Sequence, residues 1–429
     1  MSVSTTTIAY ALKTVYTNRE LENAVYKDNP LFAMMRKEGG FTGSSHIHGV
    51  RYRDSLARSV DFATAQGRAG SNGASGTDNG FTLGVQFIVT RRKEYQIYTL
   101  SQEAILAGRD DKGSLIRTLS TEVDSALNNL NRTLGQSVYG DGLGGLGAIN
   151  SIGGATNRTI GGTAYANSRL VTVGEAITNF EVGHQLMVSD TTKTGAIRAG
   201  STMTVLSVDR SAGTFIIDAG VAGIAAGDWF FHVGDRDTGS APANSALLKL
   251  AGLDAWNPVT APSAGESFFG VDRSRDVTRL AGQRLDISSL QPEEGYITAL
   301  AALAREGSSP SHIFTSFTDE KNLKLAVGSR VETEYSQVGD VGFESMKVRG
   351  PKGIVKLYAD LNAPVGYARL LQMDTWAFKH LGDLVNTADM DGSRLAREYR
   401  ADAFEGRMSV YGNVVCYAPS KNMVATLPT

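Results

Sequence analysis

The segment from residue 41 to residue 100 constrains this chain more than any other. Phe81, Leu83, Val85, Phe87 and Val89 recur at period two, the mark of a half-buried strand, and Tyr95, Ile97 and Thr99 continue the alternation. Upstream, His46 to Arg53 reads as extended, with Ile47 and Val50 among polar residues. Between the two runs, residues 67–80 hold five glycines and read as a flexible tract. The pattern predicts a long two-stranded arm with a glycine-rich tip. A hairpin of two strands is marginal alone in water, so the arm requires a partner surface.

The rest of the chain divides around that arm. Residues 8–37 read as helical pieces broken at Asp28, Asn29 and Pro30, because proline excludes its predecessor from the α region. Leu31, Phe32, Met34 and Met35 give the second piece an apolar face, with Gly39 and Gly40 as its stop. The clearest helix is 114–138, where Leu115, Leu119, Val123, Ala126, Leu127, Leu130, Leu134 and Val138 recur at three- and four-residue steps. At 1.5 Å per residue it is a rod of roughly 37 Å. A shorter helix is expected from near Ser101.

Residues 157–237 read as a β-rich island. Phe180 to Val188 and Ile224 to His232 repeat one design, a turn glycine (Gly183, Gly227) leading into a short apolar strand. Met203–Asp209 and Thr214–Asp218 lie between them, joined by a turn at Arg210–Gly213, and strands at this spacing predict a small barrel or sandwich. Beyond it, Asn244 is expected to cap a helix carrying Leu247, Leu248, Leu250 and Leu253. Pro292 opens another with Tyr296, Ile297, Leu300 and Leu303, and Thr318 caps a third with Asp319 and Glu320 in its first turn. Strands are expected at 312–317, 345–349, 353–359, 367–373, 376–381, 398–404, 408–417 and 423–427. The fold class is α+β with an inserted β domain.

Composition narrows the functional classes. With 42 Lys+Arg against 44 Asp+Glu over 429 residues, the chain is not the basic protein that coats nucleic acid by charge. The single cysteine, Cys416, forbids an intrachain disulfide and a cysteine zinc cage. No apolar run approaches the ~20 residues of a membrane span, and Met1–Thr7 is unlike a secretory signal, which predicts assembly in a cytoplasm.

Catalytic motifs find no anchor. Gly142, Gly144 and Gly147 match the dinucleotide pattern, but a helix enters it and no helix leaves, so a turn is the better reading. Thr387 to Glu398, with Asp389, Asp391 and Gly392, has calcium-loop spacing but threonine at the first ligand position, and reads as a surface turn. His46 and His48 share a strand face without an evident third ligand, and read as a packed or solvated pair. Cys416, in an apolar strand, is read as an inert thiol. No enzyme, cofactor or metal is expected. Charge is more suggestive: residues 1–60 hold eight Lys/Arg against five Asp/Glu. Arg51, Arg53, Arg58 and Arg68 decorate the arm and Arg91, Arg92 and Lys93 its base, candidates for salt bridges to neighbouring copies.

Three stretches carry a family likeness: YKDNPLF from Tyr26 to Phe32, FGVDRSRDVTRLAG from Phe269 to Gly282, and DTWAFKHLG from Asp374 to Gly382. With the order of elements, they resemble the major capsid proteins of tailed bacteriophages, the Hong Kong 97-type fold. The resemblance implies an N-terminal arm over 1–40, an extended loop over 41–100 and a peripheral domain with a spine helix over 101–156. It further implies an insertion domain over 157–237, a connecting segment over 238–289, an axial domain over 290–385 and a return to the peripheral domain over 386–429. It implies hexamers and pentamers of this chain in an icosahedral virion shell around double-stranded DNA held by weak contact. Portal, scaffold and decoration proteins are its further partners, with no membrane involved.

Some members of that family cross-link an extended-loop lysine to an asparagine. Between Lys37 and Lys93 this chain has no lysine, which predicts a shell without covalent cross-links. About 40 residues precede the arm, which predicts a separate scaffold protein or none. The reading set against this one is a glycan- or surface-binding adhesin with the β island as its binding module.

Overall fold

The computed structural model describes residues 25–26, 29–41, 43–69, 82–103, 112–198, 202–218, 221–236, 247–328, 333–338, 341–387, 395–399 and 401–428. The helical pieces expected before residue 25, most of the glycine tract, the cap at Asn244, the helix expected beyond Ser101 and the Asp389/Asp391 loop lie outside the described residues. The protein is mixed α+β with several sheets, in two compact units: 1–91 with 256–429, and 92–255.

In the first unit, Ser45–Arg53 and Leu83–Thr90 form an antiparallel two-stranded ladder. The hairpin is therefore shorter than the expected arm: Arg92–Ser101 is a separate strand belonging to the second unit. Beyond the ladder, where a flexible tract was expected from Gly67, stands a short helix, Phe62–Ala69. Asp61 accepts from the backbone N–H of Thr64 and from its hydroxyl, each at 2.8 Å, and so fixes its first turn.

Pro30–Met34 is the only helical turn of the expected second N-terminal piece, with Pro30 at its first position. Gly39 does not stop a helix. Arg36–Gly39 is a strand parallel to Trp376–His380, and Lys37 turns back to cap the carbonyls of Phe32 and Ala33. Trp376–His380 pairs in turn with the long strand Ala403–Cys416, which also takes Asn386–Thr387 and Leu395–Arg397.

A seven-stranded mixed sheet completes this unit. Its order is Gln283–Asp286, Met423–Thr426, Tyr367–Leu371, His312–Thr315, Gly353–Ala359, Val341–Gly350 and Thr333–Val338. The helices Pro292–Arg305 and Phe317–Val327 share its core, through Tyr296, Ala299, Leu300, Leu303 and Leu323. Ser316, not Thr318, caps the second helix. Its hydroxyl accepts from Asp319 N–H at 3.1 Å and donates to the Asp319 carboxylate at 2.7 Å, a reciprocal box that Thr318, inside the first turn, cannot make.

In the second unit the long helix runs Lys112–Tyr139, burying Val123, Ala126, Leu127, Leu130, Leu134 and Val138 on one side. The strands that follow form one path: Gly145–Ala148, Trp229–His232, Gln185–Ser189, Met203–Asp209, Thr214–Ile217, Thr163–Thr172 and Ser151–Ile152. The first and last of these are only two residues apart in sequence, so the path closes into a barrel around Val171, Phe180, Leu186, Met203, Phe215, Ile217 and Phe230. The β island thus begins before residue 157. Gly142 and Gly144, both at positive φ, make the turn into it, and a strand rather than a helix follows. Over the described part of the helix expected from Asn244, residues 247–252 are not helical and a helical turn stands at Leu253–Trp256. Gly252 lies so close to the end of the long helix that a Cβ there would sit 2.2 Å from the Val138 carbonyl.

Candidate assembly surfaces

On the hairpin, side chains alternate between two faces. His48, Val50, Phe87 and Val89 are buried on one. Ile47 and Ile88 sit directly opposite each other on the other, both about half exposed. The ladder is held along its length by the stretch after Phe268. The Phe269 carbonyl accepts from Ile88 N–H at 3.0 Å, with Phe269 itself at φ 48, and Arg279 donates to the Tyr52 carbonyl at 2.6 Å. A non-glycine residue at positive φ costs free energy and persists where its surroundings fix it, here a bond to the arm. Arg273 stiffens the same cradle from below. It is buried against the Phe268 ring at 4.1 Å and paired with Glu266.

The tip has no such support. Val60 is fully exposed, Phe62 is 81% exposed and Leu56 52%. A helix as short as Phe62–Ala69 is unstable alone in water, because nucleation costs more than two turns return.

The candidate contact residues divide accordingly. Arg51 is exposed and pairs with Asp54 at 3.2 Å. Arg53 is half-buried where the ladder register shifts. Arg68, exposed, donates to the Arg58 carbonyl and ties the tip helix to the segment that precedes it. Arg91 donates to the Gly43 carbonyl at 3.0 Å and closes the root. Arg92 and Lys93 open the strand Arg92–Ser101 instead, Lys93 exposed and Arg92 half-buried with burial lowering its pKa. The sequence reading missed the cradle of Phe269, Arg273 and Arg279; the FGVDRSRDVTRLAG stretch was its one signal.

Beside the hairpin root, Glu38 accepts from Tyr417 at 2.8 Å and pairs with Lys379 at 2.8 Å. Burial would raise the Glu38 carboxyl, but these bonds and the Lys379 charge hold it below its ordinary range. Cys416 is fully buried, its thiol pushed up to about 12 by desolvation, as an inert thiol should be.

The barrel's repeated turns use one device twice. In each, the residue after the glycine folds back to accept the N–H three residues earlier: His184 Nδ1 from Glu181 at 3.2 Å, and Asp228 from Ala225 at 2.9 Å. Asp228 also takes the Arg198 guanidinium at 2.7 and 2.8 Å and the Thr191 N–H at 2.9 Å. Burial would raise Asp228, and these donors outweigh it, so its pKa lies below the carboxylate norm. Glu181 in turn joins the barrel to the long helix, paired with Arg132 and, at 2.8 Å, with Arg210. Among the described residues no three His, Cys, Asp or Glu side chains are placed to hold a metal ion, and no helix is long and apolar enough to cross a membrane.

No family model and no curated protein sequence matches this chain. Solved structures similar to it include the capsid asymmetric unit of cyanophage A-1(L), at TM-score 0.46 and 10% identity over 93% of this chain and 92% of that one. The procapsid of satellite phage P4 with its size-determination protein matches at TM-score 0.39 and 8% identity, over 96% and 91%. A virus-like particle from Pyrococcus furiosus matches at TM-score 0.38 and 8% identity, over 96% and 99%.

Proposed function

We propose that this chain is the major capsid protein of a tailed phage, self-assembling into an icosahedral shell around double-stranded DNA. One observation carries the reading: an arm whose root is built into its own unit and whose apolar tip is left in water. Leu56, Val60 and Phe62 need a surface to cover them, and in a shell of identical copies that surface belongs to another copy. Many such contacts, each modest, add up through multivalency.

The rest of the scheme follows from the family resemblance. The two helices and five strands of the seven-stranded sheet fall in the 290–385 axial domain, while its strands Gln283–Asp286 and Met423–Thr426 come from the 238–289 and 386–429 segments; the Lys112–Tyr139 helix is the spine of the peripheral domain. The barrel is an insertion domain. Arg51, Arg53, Arg58 and Arg68 meet carboxylates of the neighbouring copy, with Arg91, Arg92 and Lys93 beside them. Hexamers and pentamers form the shell, DNA is held by weak contact inside the virion, and assembly takes place in the host cytoplasm with portal, scaffold or decoration proteins as partners. No covalent cross-link is used, since no lysine lies between Lys37 and Lys93.

Electron microscopy of the purified chain tests this. Closed shells or capsomers are expected, running as single chains in denaturing gels. Small discrete oligomers at every concentration would overturn the assembly reading, and a covalent ladder would overturn the absence of cross-links.

A further inference from the structure

Two histidines stand at the root of the arm. His46 and His48 are two residues apart on the strand Ser45–Arg53, so both project from the face opposite Ile47. Across the ladder His48 faces Phe87 and His46 faces Val89. The buried His48 ring stacks on Phe87 at 5.5 Å and on His46 at 5.9 Å, meets Trp256 at 5.6 Å and stands edge-on to Tyr417 at 5.4 Å. Its Nε2 lies 3.2 Å from the Cys416 carbonyl. Among the described residues, His48 Nδ1 and His46 Nε2 are buried without a hydrogen-bond partner.

This box suits a neutral imidazole. One N–H goes to the Cys416 carbonyl, and the bare nitrogen lies among rings. An imidazolium carries a second N–H, which would be left unpaired in an apolar setting. We propose that His48 is a protonation-controlled latch: neutral, it seats the root of the arm in the aromatic box, and protonated, it leaves the box and frees the root.

The charges around it give an imidazolium no counterion of its own. Lys379 faces the pair from the strand Trp376–His380, and Glu38 from Arg36–Gly39. Glu38 is already engaged by Lys379, by the Tyr417 hydroxyl and by Arg36 at 2.6 Å. The Cys416 thiol, with its pKa near 12, stays neutral. Phe41, 6.4 Å from His46, closes the outer side with a ring.

The sign follows from the direction of the shift. Burial, opposed by the Cys416 carbonyl and reinforced by His46 and Lys379, brings His48 from 6.5 down to about 4. Burial lowers His46 as well. A base with a depressed folded pKa stabilises the closed root fully above pH 6.5 and loses that stability as pH falls toward 4. Over the whole interval the closed-to-open ratio drops by roughly 300-fold. The latch is a property of the single chain; only its use in assembly rests on the proposed function.

Exchange of the histidine C2 protons, followed by mass spectrometry on the full chain, reads the titration of His46 and His48 directly. Amide exchange on 45–53 and 83–90 reads the root. Wild-type His48 is expected to titrate well below 6.5. Protection of both strands, corrected for intrinsic rates, is expected to fall about 100-fold between pH 7 and 4.5, while the seven-stranded sheet keeps its protection. His48→Phe should hold the arm closed throughout. A His48 that titrates near 6.5, or arm protection indifferent to pH, overturns the latch, and both are read on the wild-type chain even if the variant does not fold. Shell formation is scored separately by microscopy, so a chain that titrates as stated but never assembles counts against the function and not against the latch.

Discussion

The barrel and the arm are both built of short antiparallel strands, and they solve the problem of strand edges in opposite ways. The barrel closes on itself through residues 145–152, so its ladder returns to its start and its apolar side chains share one interior. The arm has two strands and one buried face, and among the described residues of its tip Leu56, Val60 and Phe62 are exposed. Closure gives the barrel an interior of its own. The open hairpin leaves apolar side chains at its outer end in water.

Substitutions can break this contrast, beginning with the largest effect. Asp228→Ala removes the more buried of the two carboxylates paired with Arg198, leaving it Asp190 alone, and leaves the N–H groups of Thr191 and Ala225 without their acceptor. The expected cost is about 3 kcal/mol, read as lost amide protection in Gln185–Ser189 and Trp229–His232 with the arm unchanged. Acid should act in the same direction. The Asp228 contribution is present above the ordinary carboxylate pKa of 3.8 and is lost as pH falls through its lower folded value; chemical denaturation of the barrel at stepped pH checks this. Arg279→Ala removes the bond to the Tyr52 carbonyl and should loosen the outer end of the ladder by about 1.5 kcal/mol, with faster exchange at 45–53 and an unaltered barrel. Phe62→Ser should leave the thermal unfolding of the isolated chain where it is, because an exposed side chain contributes little to its own fold. It should nonetheless abolish particles under the microscope. Arg51→Ala, which breaks only the exposed pair with Asp54, should leave unfolding unchanged too.

Elements with a strong local signal could be read from the sequence. The long helix shows its stripe, and the two barrel turns show their glycines, Gly183 and Gly227, both at positive φ. Closure of the barrel was not legible, because Gly145–Ala148 has none of the β-branched residues that mark a strand. Arg36–Gly39 is charged and ends in glycine, and only its parallel partner Trp376–His380 makes it a strand. Thr333–Val338, at the sheet edge, was missed for a similar reason: it carries mostly polar residues. The tip helix has no apolar stripe to reveal it. For the candidate surface, the arm and its arginines could be named, whereas the cradle could not, because Phe269 and Arg279 reach the arm from about 200 residues away in sequence.

In the proposed assembly, the order of the tip is supplied by another copy of this chain. Amide exchange at residues 54–69, compared between assembled particles and dissociated chains at one pH, tests it most directly. The account predicts strong protection in the particle and almost none in the single chain, with the barrel equally protected in both. Equal exchange at the tip in the two states would contradict it.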